Sequence, residues 1–188
     1  MAVQGGGHRC FLSLCAFLMV ITTCLSLRIA DFELSPTASP FNNPQGVAID
    51  PINETLYVAD TGNSRVLIFN YIYTILPGAA PQIVLGQTNL TDTFANRNVS
   101  PTRSTLKFPQ EVFLNASWNL FVSDTGNNRV LRWDNLATLT PGAPASGWVG
   151  QTTQSQSSSG INAGQLNTPI GIFVVDQTLW IADQQNNR

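Results

Sequence analysis

The chain writes one phrase three times: LYVADTGNSRVLIF at 56–69, LFVSDTGNNRVLRW at 120–133 and LWIADQQNNR at 179–188. Asp60 and Asp124 are 64 residues apart, and Asp124 and Asp183 are 59 apart. Self-similarity at a nearly fixed spacing means one supersecondary unit repeated, so the chain must fold as an array of units that stack on one another.

The unit reads as β-structure. Short runs rich in aromatic and β-branched residues flank the turn cluster Asp60-Thr61-Gly62-Asn63-Ser64, which is a hairpin pattern. Neither run alternates cleanly between apolar and polar, so both faces of the sheet expect cover. Upstream, Pro44, Pro109 and Pro169 each stand three residues after an apolar residue and open a further run, GVAI, EVFL or GIFV. These are strands entered through a proline, where a missing N–H does least harm. Downstream, ILPGAAPQIVLGQ at 75–87 is matched by LTPGAPASGWVGQ at 139–151, where a Pro-Gly turn leads into a fourth strand. Four short antiparallel strands per unit, apolar on both faces, describe a β-propeller blade. The expected fold is therefore all-β, with two complete blades and about half of a third, and a propeller that is not closed.

The pattern Pro-x-Gly-Val-Ala-x-Asp from Pro44, Leu-Tyr-Val-Ala-Asp from Leu56 and Thr-Gly-Asn-x-Arg-Val from Thr61 resembles the NHL repeat. The resemblance spans 41–188 and implies a β-propeller array. It divides the chain into a first blade with its connector at 41–105, a second at 106–165 and a partial third at 166–188. The second copy has Glu111 for Gly46 and Asn115 for Asp50, and the third has Gln184-Gln185 for Thr-Gly. The array is short of the four to eight blades with which propellers typically close, which predicts that the sequence is an incomplete chain or gene model, with a ring of several copies as the alternative.

Residues 1–26 stand apart from the repeats. Arg9 precedes an apolar stretch over 11–27, and Thr23, Cys24 and Ser26 offer small residues for cleavage. This is the pattern of a secretory signal peptide, with an uncleaved anchor over 11–27 as its rival and 27–40 as the lead-in to the first blade. Cys10, Cys15, Cys24 and His8 are the chain's only cysteines and histidine, and all fall in this leader. The remainder therefore has no disulfide, no Ser-His or Cys-His dyad and none of the usual transition-metal ligands. Secretion fits four N-glycosylation sequons, at Asn53, Asn89, Asn98 and Asn115, each placed in a turn or polar connector. The connectors 88–105 and 152–165 are rich in Ser, Thr, Asn and Gln, and would lie on one side of the array, where such folds usually bind partners.

From residue 27 the chain keeps eight basic and eleven acidic residues, a balance of 8 − 11 = −3, and Lys107 is its one lysine. Phosphate binding needs clustered Lys and Arg, so no nucleic-acid partner is expected. The recurring Asp60, Asp124 and Asp183 invite calcium, but stacked sheets lie about 10 Å apart while Ca²⁺ ligands sit at roughly 2.4 Å. The better expectation is a turn clamp: each carboxylate accepts N–H groups of its own turn and faces the arginine five residues on, Arg65, Arg129 or Arg188. The aromatic positions Tyr57, Phe121 and Trp180, and Phe69 and Trp133, are expected to pack between blades.

The residues then point to a secreted scaffold without cofactor or metal that presents loops to an extracellular protein or glycan. The alternative is a calcium-dependent, lactonase-like hydrolase, for which Asp50, Asn115 and Asp176 beside the ends of the channel-side strands are the first candidates. The zinc-dependent lyase chemistry known in the NHL family requires histidines, and none is present after the leader.

Overall fold

The computed structural model describes residues 40–72 and 79–188. The leader expectation over 1–26, most of the lead-in and the turn at Pro77 lie outside the described residues.

The strands follow the repeat. The first blade comprises β1 (Pro44–Asp50), β2 (Thr55–Asp60), β3 (Arg65–Phe69) and β4 (Ile83–Leu85). The second comprises β5 (Val112–Leu114), β6 (Leu120–Asp124), β7 (Arg129–Trp133) and β8 (Gly147–Val149). Each is a four-stranded antiparallel sheet in sequence order, and β9 (Pro169–Val175) with β10 (Thr178–Asp183) forms a two-stranded hairpin. This is the all-β, blade-by-blade architecture that the spacing predicts, with the propeller open. Among the described residues no helix is long and apolar enough to cross a membrane.

Alternating strand directions give the array two distinct ends. The β2–β3 and β6–β7 turns share one end with the interblade connectors, here called the connector end. The β1–β2, β5–β6 and β9–β10 turns lie at the other, the hairpin end. Backbone pairing there leaves loops of different length, since Asp50 faces Thr55, Leu114 faces Leu120 and Val175 faces Thr178.

Packing between sheets uses both faces of the middle blade. Tyr57, Val66, Ile68 and Leu85 of the first sheet bury against Leu106, Val112, Leu120 and Val122. On the far side of the second blade, Phe121 and Val130 pack on Ile172 with Val174 and Leu179. Trp133 is buried and donates its indole N–H to the Ala143 carbonyl at 3.0 Å, while Phe69 lies 6.3 Å from Phe41. The interblade role expected for the aromatics holds for Tyr57 and Phe121, which are 3% and 8% exposed, but not for Trp180, which is 62% exposed. The physical reason is local: Leu179 and Ile181 on either side of Trp180 take the packed positions of β10, leaving Trp180 on the other face, while its cross-strand neighbour Phe173 still meets Phe113 of the second blade edge-on at 5.2 Å.

Gly46 has a packing cause. A Cβ there would sit 2.5 Å from the Gln110 carbonyl oxygen and 2.7 Å from Glu111 Cα, so the first blade's inner strand touches the lead-in of the second. Gly86 and Gly150, at the ends of β4 and β8, have φ of 87° and 95°, a backbone that favours glycine.

Candidate functional site

At the connector end, each repeated aspartate anchors the same set of donors. Asp60 accepts the Asn42 N–H at 2.8 Å, the Asn63 amide at 2.9 Å and Arg65 Nε at 2.7 Å. Asp124 accepts the Lys107 N–H at 2.7 Å, Asn127 at 2.8 Å and Arg129 Nε at 2.7 Å. Asp183 accepts the Asn167 N–H at 2.7 Å, Asn186 at 2.8 Å and Arg188 Nε at 2.8 Å. The expected aspartate-to-arginine pairing is present in all three copies. The bond from the aspartate's own turn comes from the Asn63, Asn127 or Asn186 side-chain amide and not from the turn's backbone: the 3-10 turns Thr61–Asn63, Thr125–Asn127 and Gln184–Asn186 have no side-chain cap bond from it, and the backbone donor lies 16 to 18 residues upstream. The carboxylate therefore ties the strand end to the chain entering the blade.

The arginines extend the network outward. Arg65 donates Nη1 to the Leu90 carbonyl at 2.6 Å, and Arg129 donates Nη1 to Gln154 at 2.6 Å and Nη2 to Thr102 and Thr105 at 2.8 and 3.0 Å. Arg188 gives its Nη atoms to Ile161, Asn162 and Gln165. The first two pairs have no exposed side-chain surface, whereas the Arg188 side chain is 43% exposed. Burial pushes the Asp124 carboxyl up against the pull of Arg129, Asn127 and the Lys107 N–H. At Asp183 burial also pushes up, but the bonds from Asn167, Asn186 and Arg188 outweigh it and hold the carboxyl below its ordinary range.

Further contacts stitch one blade to the next. Thr61 donates its hydroxyl to the Pro109 carbonyl at 2.6 Å, and Thr125 donates to Pro169 at 2.7 Å. Ser64 and Asn128, both left-handed, accept the N–H of Phe108 and Thr168 just ahead of those prolines. Gln87 and Gln151 donate their amides to loop carbonyls, at Asn63, Ser64 and Phe94 and at Asn128 and Ser158. These residues were legible only as recurring Thr-Gly-Asn and Gly-Gln pairs.

The hairpin end is chemically different. Asp50 is buried and accepts the N–H groups of Ile52 and Asn53 and the Asn53 amide, while Asn115 accepts from Ser117 and Asn119. Asp176 is exposed in a two-residue turn with φ of 47°. The three lactonase candidates thus sit in separate hairpin turns, and among the described residues no three carboxylate, imidazole or thiol groups gather. Between the first two blades opens a cleft of about 580 Å³ lined by Asp50, Tyr57, Tyr71, Trp118, Asn119 and Asn135 among others. A second cleft of about 590 Å³ lies one blade on, with Phe121, Arg132, Trp148 and Gln177. The Tyr57 phenol is pushed up to about 12 by burial and by the Asp50 charge.

The sequons divide by environment. Asn53 bonds Asp50 through its amide, and Asn115 is half-buried with its oxygen engaged. Asn89 and Asn98 are exposed in the first connector, and Asn89 shapes a turn by accepting Thr91 and Asp92 N–H groups.

Comparison with known proteins supports the architecture. The NHL repeat matches residues 41–69. No curated protein sequence matches the chain. A candidate phosphatase from Bacteroides thetaiotaomicron is similar over 94% of this chain and 41% of its own, at 14% identity and a TM-score of 0.53. A streptogramin B lyase structure is similar over 81% of this chain and 38% of its own, at 16% identity and a TM-score of 0.47. The chain thus spans about two fifths of the length of each structure. At such identities the likeness to the first is one of fold, and activity does not travel with it.

Proposed function

We propose that this chain, an open β-propeller array built on the NHL repeat, serves as a secreted, non-catalytic scaffold that binds an extracellular protein or glycan. The observation that carries the reading is the employment of the recurring polar residues. Asp60, Asp124, Arg65 and Arg129 spend their bonds on backbone groups and on one another, leaving a rigid frame under the connector loops. Side chains fully engaged in holding loops are poor candidates for proton transfer or nucleophilic attack, which need a group within reach of a substrate.

The test is direct. Incubated with aldonolactones, with and without Ca²⁺, the purified chain is expected to give no hydrolysis above buffer. Calcium-dependent turnover that disappears in Asp50→Asn would overturn the scaffold in favour of the lactonase-like hydrolase. Secretion carries its own check: expressed in a eukaryotic secretory host, the product is expected to begin near residue 27 and to lose mass on peptide-N-glycosidase treatment, with the exposed Asn53, Asn89 and Asn98 ahead of the half-buried Asn115 as acceptors.

A further inference from the structure

We propose that the cleft between the first and second blades at the hairpin end is a binding site for a neutral saccharide. The inference deepens the scaffold reading by giving it a ligand class, and it places the site opposite the connector loops.

Three observations carry it. The first is an unanswered donor. Tyr57 is 3% exposed, yet its hydroxyl lines the cleft and has no hydrogen-bond partner among the described residues. Asn119, Asn135 and Trp118 also line the cleft, and their side-chain amides and indole N–H have no hydrogen-bond partner among the described residues. Asp50 holds its own turn with both oxygens but retains acceptor capacity, since a carboxylate offers about four lone-pair sites. Hydroxyl-rich ligands match a wall of mixed donors and acceptors, and no lysine or arginine stands among the described lining residues to favour an anion.

The second is where the aromatics stand. Tyr71 and Trp118 have φ of 60° and 57°, a left-handed backbone that is unusual for bulky side chains. The repeat imposes this backbone, because the equivalent positions Asn135 and Glu54 have φ of 53° and 52°. The equivalent positions carry polar residues, Asn135, Glu54 and Gln177, and here the chain instead puts an aromatic on each wall of the same cleft. Residues held at such cost cluster at ligand sites. Flat apolar rings beside amides and a hydroxyl are what a pyranose, with apolar C–H faces and polar edges, would require.

The third is the internal control. In the cleft one blade on, Phe121 replaces Tyr57, Gln177 replaces Trp118 and Arg132 replaces Ile68, so the buried hydroxyl and the hairpin-turn indole are missing, a cation is added, and the one indole lining it is Trp148, on β8 and not in a left-handed turn. The backbone frame recurs, but this polar and aromatic combination does not.

The test applies the full chain to an array of neutral oligosaccharides ending in glucose, mannose, galactose or N-acetylglucosamine, beside sialylated and sulfated glycans. The expected result is retention of at least one neutral glycan. Affinity should fall roughly tenfold or more in Trp118→Ala and in Tyr71→Ala, and severalfold in Tyr57→Phe, with melting temperatures held within a few degrees. Phe121→Leu, in the second cleft, should leave retention unchanged. No neutral glycan retained, preference for the charged glycans, or retention unaffected in both aromatic variants would each overturn the proposal. These failures differ from failure of the scaffold reading, which only the turnover assay can bring about.

Discussion

At the connector end, Asp60, Asp124 and Asp183 hold the same three kinds of donor at 2.7 to 2.9 Å. At the hairpin end, Tyr57 and Phe121, Glu54 and Trp118, Tyr71 and Asn135 share backbone positions and differ in chemistry. One end copies side chains together with backbone; the other copies backbone alone. Repetition of a buried polar network follows from its cost. A half-satisfied network is worse than none, so its members are kept or lost together. The hairpin end carries no such all-or-none constraint, and there the tile is free to diverge toward a ligand.

The sharpest way to break this contrast is Asp124→Ala. It strands the fully buried Arg129, and a loss of about 3–5 kcal/mol is expected in denaturant unfolding. Asp183→Ala leaves an Arg188 that is already 43% exposed, so although Asp183 is buried and also holds Asn167 and Asn186, the loss should be smaller, about 1–3 kcal/mol. Equal losses at the two sites would show that sequence repetition, and not burial, sets the value of the clamp. Next in size is Thr125→Val, which removes the 2.7 Å bond to the buried Pro169 and should cost about 1–3 kcal/mol, read as a lowered melting temperature. Trp118→Asn should change stability by no more than about 1 kcal/mol, because relief of the left-handed backbone offsets lost packing. A large loss there would move Trp118 from the ligand account to the core.

The smallest effect is in pH. The folded Asp183 carboxyl lies below its unfolded value of about 3.9, so its contribution is complete above that value. It is lost as pH falls through the lower, folded value. Melting curves between about pH 2 and 6 should therefore show a shallower acid-side decline in Asp183→Asn than in the parent chain.

Much of this was legible in the sequence, and the reasons differ by residue. The strands and their order follow from periodicity, because a thrice-written apolar phrase has few ways to bury itself. The aspartate-to-arginine pairing was visible as a constant spacing of five. Its backbone donors were not, since Asn42, Lys107 and Asn167 meet the carboxylate through main-chain N–H groups and Lys107 breaks the side-chain pattern of the other two. The part played by the Thr-Gly pair, which the third copy replaces by Gln184-Gln185, was not visible in the sequence either. In the structure Thr61 and Thr125 reach the proline of the following blade, and the Gln185 N–H bonds Asn167 as the glycines bond Asn42 and Lys107. The first cleft was illegible because its walls come from different tiles. Nothing in one copy announces that Tyr57 and Trp118 will meet.

One arginine bond in each of the first two blades points forward along the chain, although Arg129 also reaches back to Thr102 and Thr105. Arg65 takes the Leu90 carbonyl and Arg129 that of Gln154, each 25 residues further along the chain. On a ribosome, which releases a polypeptide from its N-terminus, a sheet can pair before the carbonyl that secures its arginine has emerged. Each blade would then be latched by its own trailing connector, so the array would assemble in the manner of a ratchet, each tooth set just after its sheet is made.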